Sequence, residues 1–457
     1  MARYKQLAEK FIHDIEAGKL IPGDRMLSLR QFAQQHGISV STAVSCYSEL
    51  ESQGWLIARP QAGFFIAEQP SVNSPIWHSF ASRVTTPSHQ RSGTIATGGP
   101  LGTSRLQLDK PTQQALERSL RRALKRVADK MTYYPTPQGE PALLQALASH
   151  FTHNGFPLNS DELVITHGCM DAVKTALQVC TQAGDTVAVS SPCYNGLLDL
   201  LSQLSLRIVE IPSLEDGIDL DQFEQHLEQG NVQAGLFCTS HMNPQGITLS
   251  STQKQRLAQL ANQYQTPIIE DDVYLELPHR NQSPLPAAYY DDGGYILWCG
   301  SASKTLSPSY RLGWCRPGRY FMPYLKRALG VPTLIQYAIA DFIESGAYHS
   351  HLKRTRYRLS QNKAQYLAYL SQHLPEGSCV TQPDGGLVLW IQVPNLNATE
   401  LGKAAESQNL DIRIGPWFTE SERYCDCLRI NIGFAPEAET LEYLERLMTL
   451  IKQHCSN

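Results

Sequence analysis

The chain has 457 residues, and 39 lysines and arginines stand against 43 aspartates and glutamates, which gives a formal net charge of −4. This length is too great for one ordinary hydrophobic core and predicts two or three domains. The near balance of charge excludes a global field that would attract a nucleic acid, a membrane or an acidic substrate, so any such partner has to be bound by a local surface.

The cysteines and the first residues indicate the compartment. The 11 cysteines are scattered without a CxxC pair, a pattern typical of a reduced cytosolic protein rather than of a disulfide framework or a zinc site. The N-terminal stretch MARYKQLAEKF lacks the apolar centre of a signal peptide, and no apolar run approaches membrane-spanning length. We therefore expect a cytoplasmic protein with no membrane partner and no metal.

Residues 1–68 carry the pattern of a winged helix-turn-helix. Apolar residues at helical spacing predict a first helix, and Ser28 can cap a second. Ser39 and Ser41 precede a third predicted helix that starts at Thr42 and ends near Gly54. The segment WLIARPQAGFFIA then alternates in the manner of a short β-hairpin.

The rest of the chain divides into a linker and a larger α/β domain. Residues 69–92 are rich in Ser, Thr, Pro and His, as linkers are, although Trp77 and Phe80 within them could dock on another surface. Over residues 93–457, strand-like and helical runs alternate, which predicts a mostly parallel, helix-covered sheet followed by a smaller C-terminal α/β subdomain. Ligands of such sheets gather beyond the carboxyl ends of the strands.

The most informative motif in this domain is SASKTLSPSYRLGW. It sets Lys304 close to Ser301, Ser303 and Arg311. A lysine can form a Schiff base with an aldehyde, while hydroxyls and a guanidinium can bind a phosphate dianion. The spaced set therefore predicts a site for pyridoxal 5'-phosphate, whereas Lys304 alone would more often be a solvated surface charge.

Further candidate residues follow other predicted strands. Gly168 opens a helix after ELVIT, where backbone N–H groups can approach a phosphate. Tyr194 could stack on a flat ring, and Asn243 could donate to a ring hydroxyl, although packing and turn formation are the plainer explanations of these two residues.

Two charged residues complete the predicted site. Asp271, just beyond an apolar strand, could keep a pyridine nitrogen protonated and so make the ring an electron sink. Arg429 lies within a strand-like apolar run, where it needs a planar anionic partner such as an effector or substrate carboxylate. A structural aspartate is the alternative partner for Arg429.

On these motifs, residues 93 to 457 resemble a fold-type I pyridoxal-phosphate protein of the class I aminotransferase kind, and the N-terminal segment resembles the winged helix of GntR regulators. The combination resembles the MocR-type regulators over the whole chain. The resemblance implies that Lys304 carries the cofactor and that it has a set of further contacts: Gly168, Cys169, Met170, Ser301, Ser303 and Arg311 at the phosphate, Asp271 at the ring nitrogen, Asn243 and Tyr274 at the ring hydroxyl, and Tyr194 on the ring face.

The resemblance also implies two features beyond the cofactor contacts. Arg429 would hold an α-carboxylate, and Tyr134 would reach the phosphate of the other subunit in a homodimer. The chain departs from the family pattern at Gln245, where these enzymes commonly carry Thr, and at Ser190, where an acid is frequent. GntR-like proteins often place Arg before the recognition helix, and this chain has Val40, which weakens the expectation of strong base readout.

Double-stranded DNA is the partner expected for the winged module. Its residues 1–68 hold seven basic and seven acidic side chains, so one module alone would bind phosphates weakly and dimerisation would strengthen binding. The expected contacts lie on the second helix, at the recognition-helix start and in the wing: Arg30, Ser39, Ser41, Thr42, Arg59, Gln61 and Gly63. A winged helix used only for protein contacts is the alternative.

Three hypotheses follow from the sequence. The first is a transcription regulator that binds DNA and senses pyridoxal phosphate or an amino compound through a Schiff base at Lys304. The second is a working aminotransferase in which Lys304 also acts as general base. The third is a degenerate scaffold without cofactor.

Overall fold

A computed structural model describes residues 3–52, 54–59, 61–67, 72–87, 98–279 and 283–455. The predicted domain limits at 68/69 and 92/93 fall outside these residues, so they stay predictions. Within the described ranges, no helix has both the length and the apolar character needed to cross a membrane.

The N-terminal module consists of helices α1 (Arg3–Glu16), α2 (Leu29–Gln35) and α3 (Val40–Ser52), followed by strands β1 (Leu56–Arg59) and β2 (Gly63–Ile66). Ser28 and Gln31 form a reciprocal capping box that starts α2. The fully buried rings of Phe32 and Tyr47 meet edge to face with centroids 4.7 Å apart and join α2 to α3. The antiparallel strands β1 and β2 form the predicted hairpin of the wing.

The recognition helix α3 begins two residues earlier than the sequence predicted. The Ser39 hydroxyl accepts a hydrogen bond from the backbone N–H of Thr42 at 3.1 Å, so Ser39 caps α3. Ser41 therefore lies inside the first turn of α3 instead of preceding it. The prediction of Thr42 as the first helical residue was wrong because a helix starts directly after its cap, and here the cap is Ser39.

The larger domain is built on a mixed sheet covered by helices. Its elements up to the end of the sheet are β3 (Val84–Thr85), α4 (Lys110–Arg126), α5 (Pro141–His153), β4 (Val164–Thr166), α6 (Cys169–Cys180), β5 (Thr186–Ser191), α7 (Asn195–Gln203), β6 (Arg207–Leu214), β7 (Gly217–Ile218), α8 (Leu220–Glu228), β8 (Ala234–Phe237), α9 (Ser251–Gln263), β9 (Ile268–Asp271), β10 (Ile296–Ser301) and β11 (Gly313–Arg316). The strand order is β3-β6-β5-β8-β9-β10-β11-β4, and β7 pairs with β6.

The strand directions bring the predicted motifs to one edge of the sheet. Strands β6, β5, β8, β9 and β10 are mutually parallel. Strand β4 has the same direction as β10, because both pair antiparallel with β11. The carboxyl ends of β4, β5, β8, β9 and β10 therefore open towards the same side, where the cofactor motifs follow them.

The C-terminal part adds helices and a small antiparallel sheet. Its elements are α10 (Phe321–Leu325), α11 (Thr333–Glu344), α12 (Ala347–His373), β12 (Cys379–Val380), β13 (Val388–Gln392), α13 (Ala398–Ser407), β14 (Arg413–Ile414), β15 (Cys427–Asn431) and α14 (Ala438–His454). The small sheet has the order β12-β13-β15-β14 and is entirely antiparallel. It has its own apolar core, separate from those of the large sheet.

The described linker residues 72–87 lie against the larger domain. Strand β3 pairs with β6, and the Ser79 hydroxyl donates to Asp219 at 2.7 Å. Trp77 packs on a buried aromatic cluster, and the Arg423 guanidinium stacks over Phe80 at 3.6 Å. Both aromatic side chains that the sequence singled out in the linker are thus docked.

Candidate functional site

The predicted Schiff-base lysine, Lys304, lies in the turn after β10 and reaches into a cavity at the sheet edge. Its Nζ donates to the carbonyl oxygen of Ser104 at 2.8 Å. Burial, followed by the positive charge of Arg429, lowers the pKa of Lys304 to about 8. A neutral amine is the form that attacks a carbonyl carbon, so this environment prepares Lys304 as a nucleophile.

The cavity, of about 160 Å³, gathers most of the predicted cofactor residues. The predicted residues in its wall are Cys169, Met170, Tyr194, Asn243, Asp271, Tyr274, Ser301, Ser303, Lys304 and Arg311. The wall also includes residues that the sequence did not single out as contacts: Ser190, Cys193, Leu197, Leu236, Cys238, Val273 and Pro308. Pro308 lies within the SASKTLSPSYRLGW motif, whereas the other six are small or apolar residues without a motif, and their position depends on the tertiary fold.

One end of the cavity is suited to a phosphate. Gly168 has a φ of 91° and precedes α6, whose start has no side-chain cap within the described residues. A Cβ on Gly168 would lie 2.9 Å from Nη2 of Arg311, and a Cβ on Gly313 would lie 2.6 Å from the carbonyl carbon of Gly168. Both glycines therefore allow a guanidinium and the α6 N terminus to share one small space, which is an anion-binding arrangement.

The cofactor also requires an acid that faces its cationic ring nitrogen, and Asp271 is the residue predicted for this contact. Its side chain is buried, and Oδ1 accepts a weak hydrogen bond from the Cys169 thiol at 3.1 Å. Burial raises the pKa of Asp271, and Asp272 raises it further. A protonated pyridine nitrogen would supply the counter-charge that this buried carboxyl needs.

Arg429 is buried in β15 with part of its guanidinium unsatisfied. Its Nη1 donates to Oδ1 of Asn243 at 3.2 Å, whereas Nε and Nη2 have no hydrogen-bond partner among the described residues. Asp411, the nearby carboxylate, instead pairs with Arg413. Burial lowers the pKa of Arg429 to about 10. The orphaned N–H groups fit a carboxylate from outside the chain better than the alternative of a structural aspartate.

Two predicted cofactor residues, Tyr274 and Tyr134, have surroundings that the sequence did not predict. The Tyr274 hydroxyl lies 3.0 Å from the Ser104 hydroxyl, so Ser104 contacts both Tyr274 and Lys304. Sequence reasoning missed Ser104, which lies in no recognised motif. Tyr134 is fully exposed and does not line the cavity of its own chain. Its expected contact with the other subunit stays a prediction.

The predicted DNA-binding residues lie on α2, at the start of α3 and in the wing. Ser39 and Ser41 at the start of α3 are exposed, as are Arg30 and Arg59. The side chain of Arg59 stacks over Phe65 at 4.5 Å, which holds it along the wing. Thr42 is partly buried, and its hydroxyl lies 2.8 Å from that of Ser39.

The wing itself depends on unusual backbone conformations and adds one basic residue. Gln61 and Gly63, at the turn between β1 and β2, have φ values of 62° and 100°. Arg25 is exposed, and its Nε would lie 3.7 Å from a Cβ at Gly63. Sequence reasoning left Arg25 out of the DNA-binding set because it lies in a loop that carries no motif of its own.

The residues present fit pyridoxal 5'-phosphate. The cavity joins a nucleophilic amine to a buried acid and an anion cradle, and Arg429, part of whose guanidinium is unsatisfied among the described residues, contacts Asn243 of the cavity wall. Lys304, Asp271 and Arg311 each have a hydrogen bond within the protein. An aldehyde, a pyridinium nitrogen and a phosphate would add the covalent or charged partner that suits each of them, and a carboxylate would do so for Arg429. The class of protein defined by the fold and the site is therefore a winged helix-turn-helix joined to an aminotransferase-like pyridoxal-phosphate domain.

Comparisons with known families agree with this class. Residues 100–447 match the family model described as aminotransferase class I and II. Residues 3–66 match the model described as bacterial regulatory proteins, gntR family. The chain belongs to the class I and II aminotransferase family, which is pyridoxal-phosphate-dependent, and carries a GntR domain at its N terminus, the combination of MocR-type regulators.

Individual relatives show the same arrangement. The chain is 32% identical to the uncharacterized HTH-type transcriptional regulator YdcR of Escherichia coli, over 99% of this chain and 100% of the relative. It is 25% identical to the probable rhizopine catabolism regulatory protein MocR of Rhizobium meliloti, over 89% and 85%. Kynurenine aminotransferase of Pyrococcus horikoshii has the same fold, with a TM-score of 0.71 at 23% identity over 79% of this chain and 93% of that one.

Proposed function

We propose that the protein is a transcription regulator that binds double-stranded DNA through its winged module and senses pyridoxal phosphate or an amino compound in the cavity around Lys304. The observation that carries this proposal is the presence of both units in one chain, joined by a linker whose Trp77 packs in the same aromatic cluster as Tyr194 of the cavity wall. HTH-type regulators that match the whole chain support it.

When bound, pyridoxal phosphate supplies an aldehyde that condenses with amines and a ring that withdraws electrons. The chain's own residues would do the rest. Lys304 would hold the cofactor covalently, Arg311 and the α6 N terminus would bind the phosphate, and Asp271 would keep the ring nitrogen protonated. Tyr194 would cover the ring face, and Arg429 would orient the carboxylate of an amino compound beside it.

A change in the cavity could reach the DNA-binding module along the linker. Tyr194 contacts the cluster of Trp390, Phe418 and Cys427, against which Trp77 also packs. Tyr424 belongs to this cluster too, and its hydroxyl lies 3.2 Å from that of Ser191 at the end of β5. An effector that moves Tyr194 would thus alter the packing of the linker, provided that it binds two arrangements of the cluster with different affinity.

A second contact joins the winged module to the body of the protein. The end of α3 lies against α12, and Tyr357 of α12 interacts with Glu51. Burial, then the charge of Glu51, raises the pKa of Tyr357 to about 12. Through the linker and this contact, the orientation of α3 is coupled to the larger domain.

A homodimer is part of the proposal. Four exposed apolar side chains lie on two segments of the chain, one that carries Tyr134 and one around residue 329: Met131, Tyr133, Tyr134 and Leu329. The two segments are neighbours, since a Cβ at Gly330 would lie 3.0 Å from the carbonyl oxygen of Pro135. Burial of these side chains against a second copy would bring two winged modules to one DNA duplex and raise the affinity of each for it.

DNA binding over a range of salt concentrations tests the proposal. With Arg25, Arg30 and Arg59 of two modules on phosphates, about six contacts are expected, and the logarithm of the binding constant should fall with log salt at a slope of about −5. The duplex is a fragment of the protein's own promoter region, and binding is measured with and without pyridoxal phosphate and candidate amines. Rapid transamination together with an absence of specific DNA binding would contradict the proposal and favour an aminotransferase.

A further inference from the structure

The exposed face of the recognition helix α3 has an unusual composition. Its outward residues follow one another at helical spacing and comprise two valines and three serines: Val40, Ser41, Val44, Ser45 and Ser48. The opposite face is buried in the core of the module through Ala43, Cys46, Tyr47 and Leu50. The outward face therefore carries no charged side chain and no amide.

The serines of this face have limited freedom to contact a ligand. The Ser45 hydroxyl donates to the carbonyl oxygen of Ser41 one turn earlier, at 3.1 Å. The Ser41 hydroxyl lies 2.8 Å from that of Ser39, the cap of α3. By contrast, Val40 and Val44 are 48% and 43% exposed, a large fraction for β-branched apolar side chains one helical turn apart. These two valines therefore present methyl groups on the outward face, beside the exposed Ser48.

The surroundings of the face indicate what covers it. Arg30 on α2 and Arg59 on β1 are exposed, and both elements pack against α3, while the exposed Arg25 has its guanidinium near Gly63 of the wing. Such a frame complements the phosphates that border a DNA major groove, into which the second helix of a helix-turn-helix fits. An uncharged helix face between basic residues is thus suited to the floor of the groove, where the bases present their edges.

The chemistry of the face selects among the bases. Bidentate reading of guanine requires Arg or Lys, and bidentate reading of adenine requires Asn or Gln, none of which occurs on the outward face of α3. Apolar side chains read the C5-methyl group of thymine. We infer that Val40 and Val44 recognise thymine methyl groups in the major groove, so that each operator half-site carries thymines facing α3. This inference rests on the proposed function, because it requires that the winged module binds DNA.

The inference predicts the spacing between the recognised thymines and the loss of affinity when one methyl group is removed. Residues one turn apart are separated by about 6 Å along a helix, which corresponds to roughly two base-pair steps. Burying one methyl group against a valine should be worth about four-fold in affinity. Replacement of the same thymine in both half-sites should therefore cost about 15-fold.

The experiment uses the full-length protein and DNA in which single methyl groups are removed. A sequence is first selected from random duplexes, and each thymine of the selected duplex is then replaced by deoxyuridine, which lacks only the C5-methyl group. We expect a loss of about four-fold at the one or two thymines that face α3 in each half-site, at fixed salt. Val44→Ser should bind more weakly and should no longer distinguish thymine from uracil at its position, because serine has no methyl group, whereas the control Ser48→Ala should still distinguish them.

The outcomes separate this inference from the proposed function. If the protein selects no sequence and does not bind duplex DNA, the proposed function is wrong and the inference falls with it. If it binds a selected sequence but every uracil duplex binds as well as its parent, DNA binding stands and methyl recognition is wrong. Retained uracil sensitivity in both Val40→Ser and Val44→Ser would also overturn it. The wild-type measurement needs no variant, so a folding defect cannot conceal the answer.

Discussion

The cofactor cavity and the outward face of α3 are built on opposite principles. Residues in and beside the cavity have buried charges with a shifted pKa, such as Lys304, or with hydrogen bonds unsatisfied among the described residues, such as Arg429. The α3 face is exposed and uncharged, and Val40 and Val44 present methyl groups on it. Buried charge is costly in a folded protein unless a ligand completes it. The chemistry of the cofactor can therefore be inferred from the buried charged groups of the cavity. The ligand of the helix face is inferred instead from the exposed basic residues on neighbouring elements.

Removal of Lys304 should produce the largest effect and would test the cavity side of this comparison. Lys304→Ala should abolish covalent attachment of pyridoxal phosphate and the visible absorbance that accompanies it, because the alanine provides no amine. The measurement is the absorbance spectrum of the purified, dialysed protein. Lys326→Ala, at an exposed lysine, is the control and should keep the spectrum. An unchanged spectrum in the Lys304 variant would favour a degenerate scaffold or attachment elsewhere.

The pH dependence of cofactor uptake should show how far the cavity tunes Lys304. Its pKa is lowered from 10.5 to about 8, so the neutral amine should increase about ten-fold per pH unit below pH 8 and level off above it. The lowered pKa also means that the folded chain binds fewer protons than the unfolded chain between about pH 8 and 10.5, so the free energy of unfolding of the cofactor-free protein should rise across this window.

The rate of covalent uptake of pyridoxal phosphate by cofactor-free protein, followed from pH 6 to 10, checks this prediction. Arg429→Gln is the informative variant, because the positive charge of Arg429 contributes to lowering the pKa of Lys304. The midpoint should therefore move to higher pH in that variant. A rate that keeps rising to pH 10 in the wild type would show that Lys304 behaves as a solvated lysine.

A change in the linker should have the smallest effect and would test whether the two regions communicate. Trp77→Ala removes the linker ring from the cluster that it shares with Tyr194. We expect the effector-dependent change in DNA affinity to fall several-fold, while cofactor binding and DNA affinity without effector stay within about two-fold of wild type. Ile76→Ala, at a neighbouring side chain that is 77% exposed, is the matched control. Equal coupling in both variants would exclude this route.

Much of the architecture could be predicted from local patterns. The capping box at Ser28, the alternation around β1 and β2 and the succession of strands and helices depend on near neighbours in the chain. These patterns predicted the winged module and the α/β domain with its sheet, and the family comparisons confirm both. The exact limits were less predictable, and the start of α3 was set two residues too late, because Ser39 and Ser41 are equally good capping residues by sequence alone.

The residues of the candidate site also fall into two groups, those that the sequence could predict and those that it could not. Lys304, Asp271 and Arg311 could be named in advance because their residue types have few roles in such motifs, although their functional assignments stay predictions. Ser104, which meets Lys304 from 200 positions away in the chain, could not be named, since a lone serine in a loop has no pattern. The position of the apolar cavity wall and the docking of Trp77 depended in the same way on distant segments.

The sequence by itself determined the kinds of domain, the cofactor and the residues with chemistry to offer, because these depend on residue type and short spacing. Only the tertiary structure decided which groups find no hydrogen-bond partner among the described residues, such as Nε and Nη2 of Arg429, and which side chains stay exposed, such as Val40 and Val44. Burial and exposure arise from contacts between segments far apart in the chain, and a local pattern does not contain them.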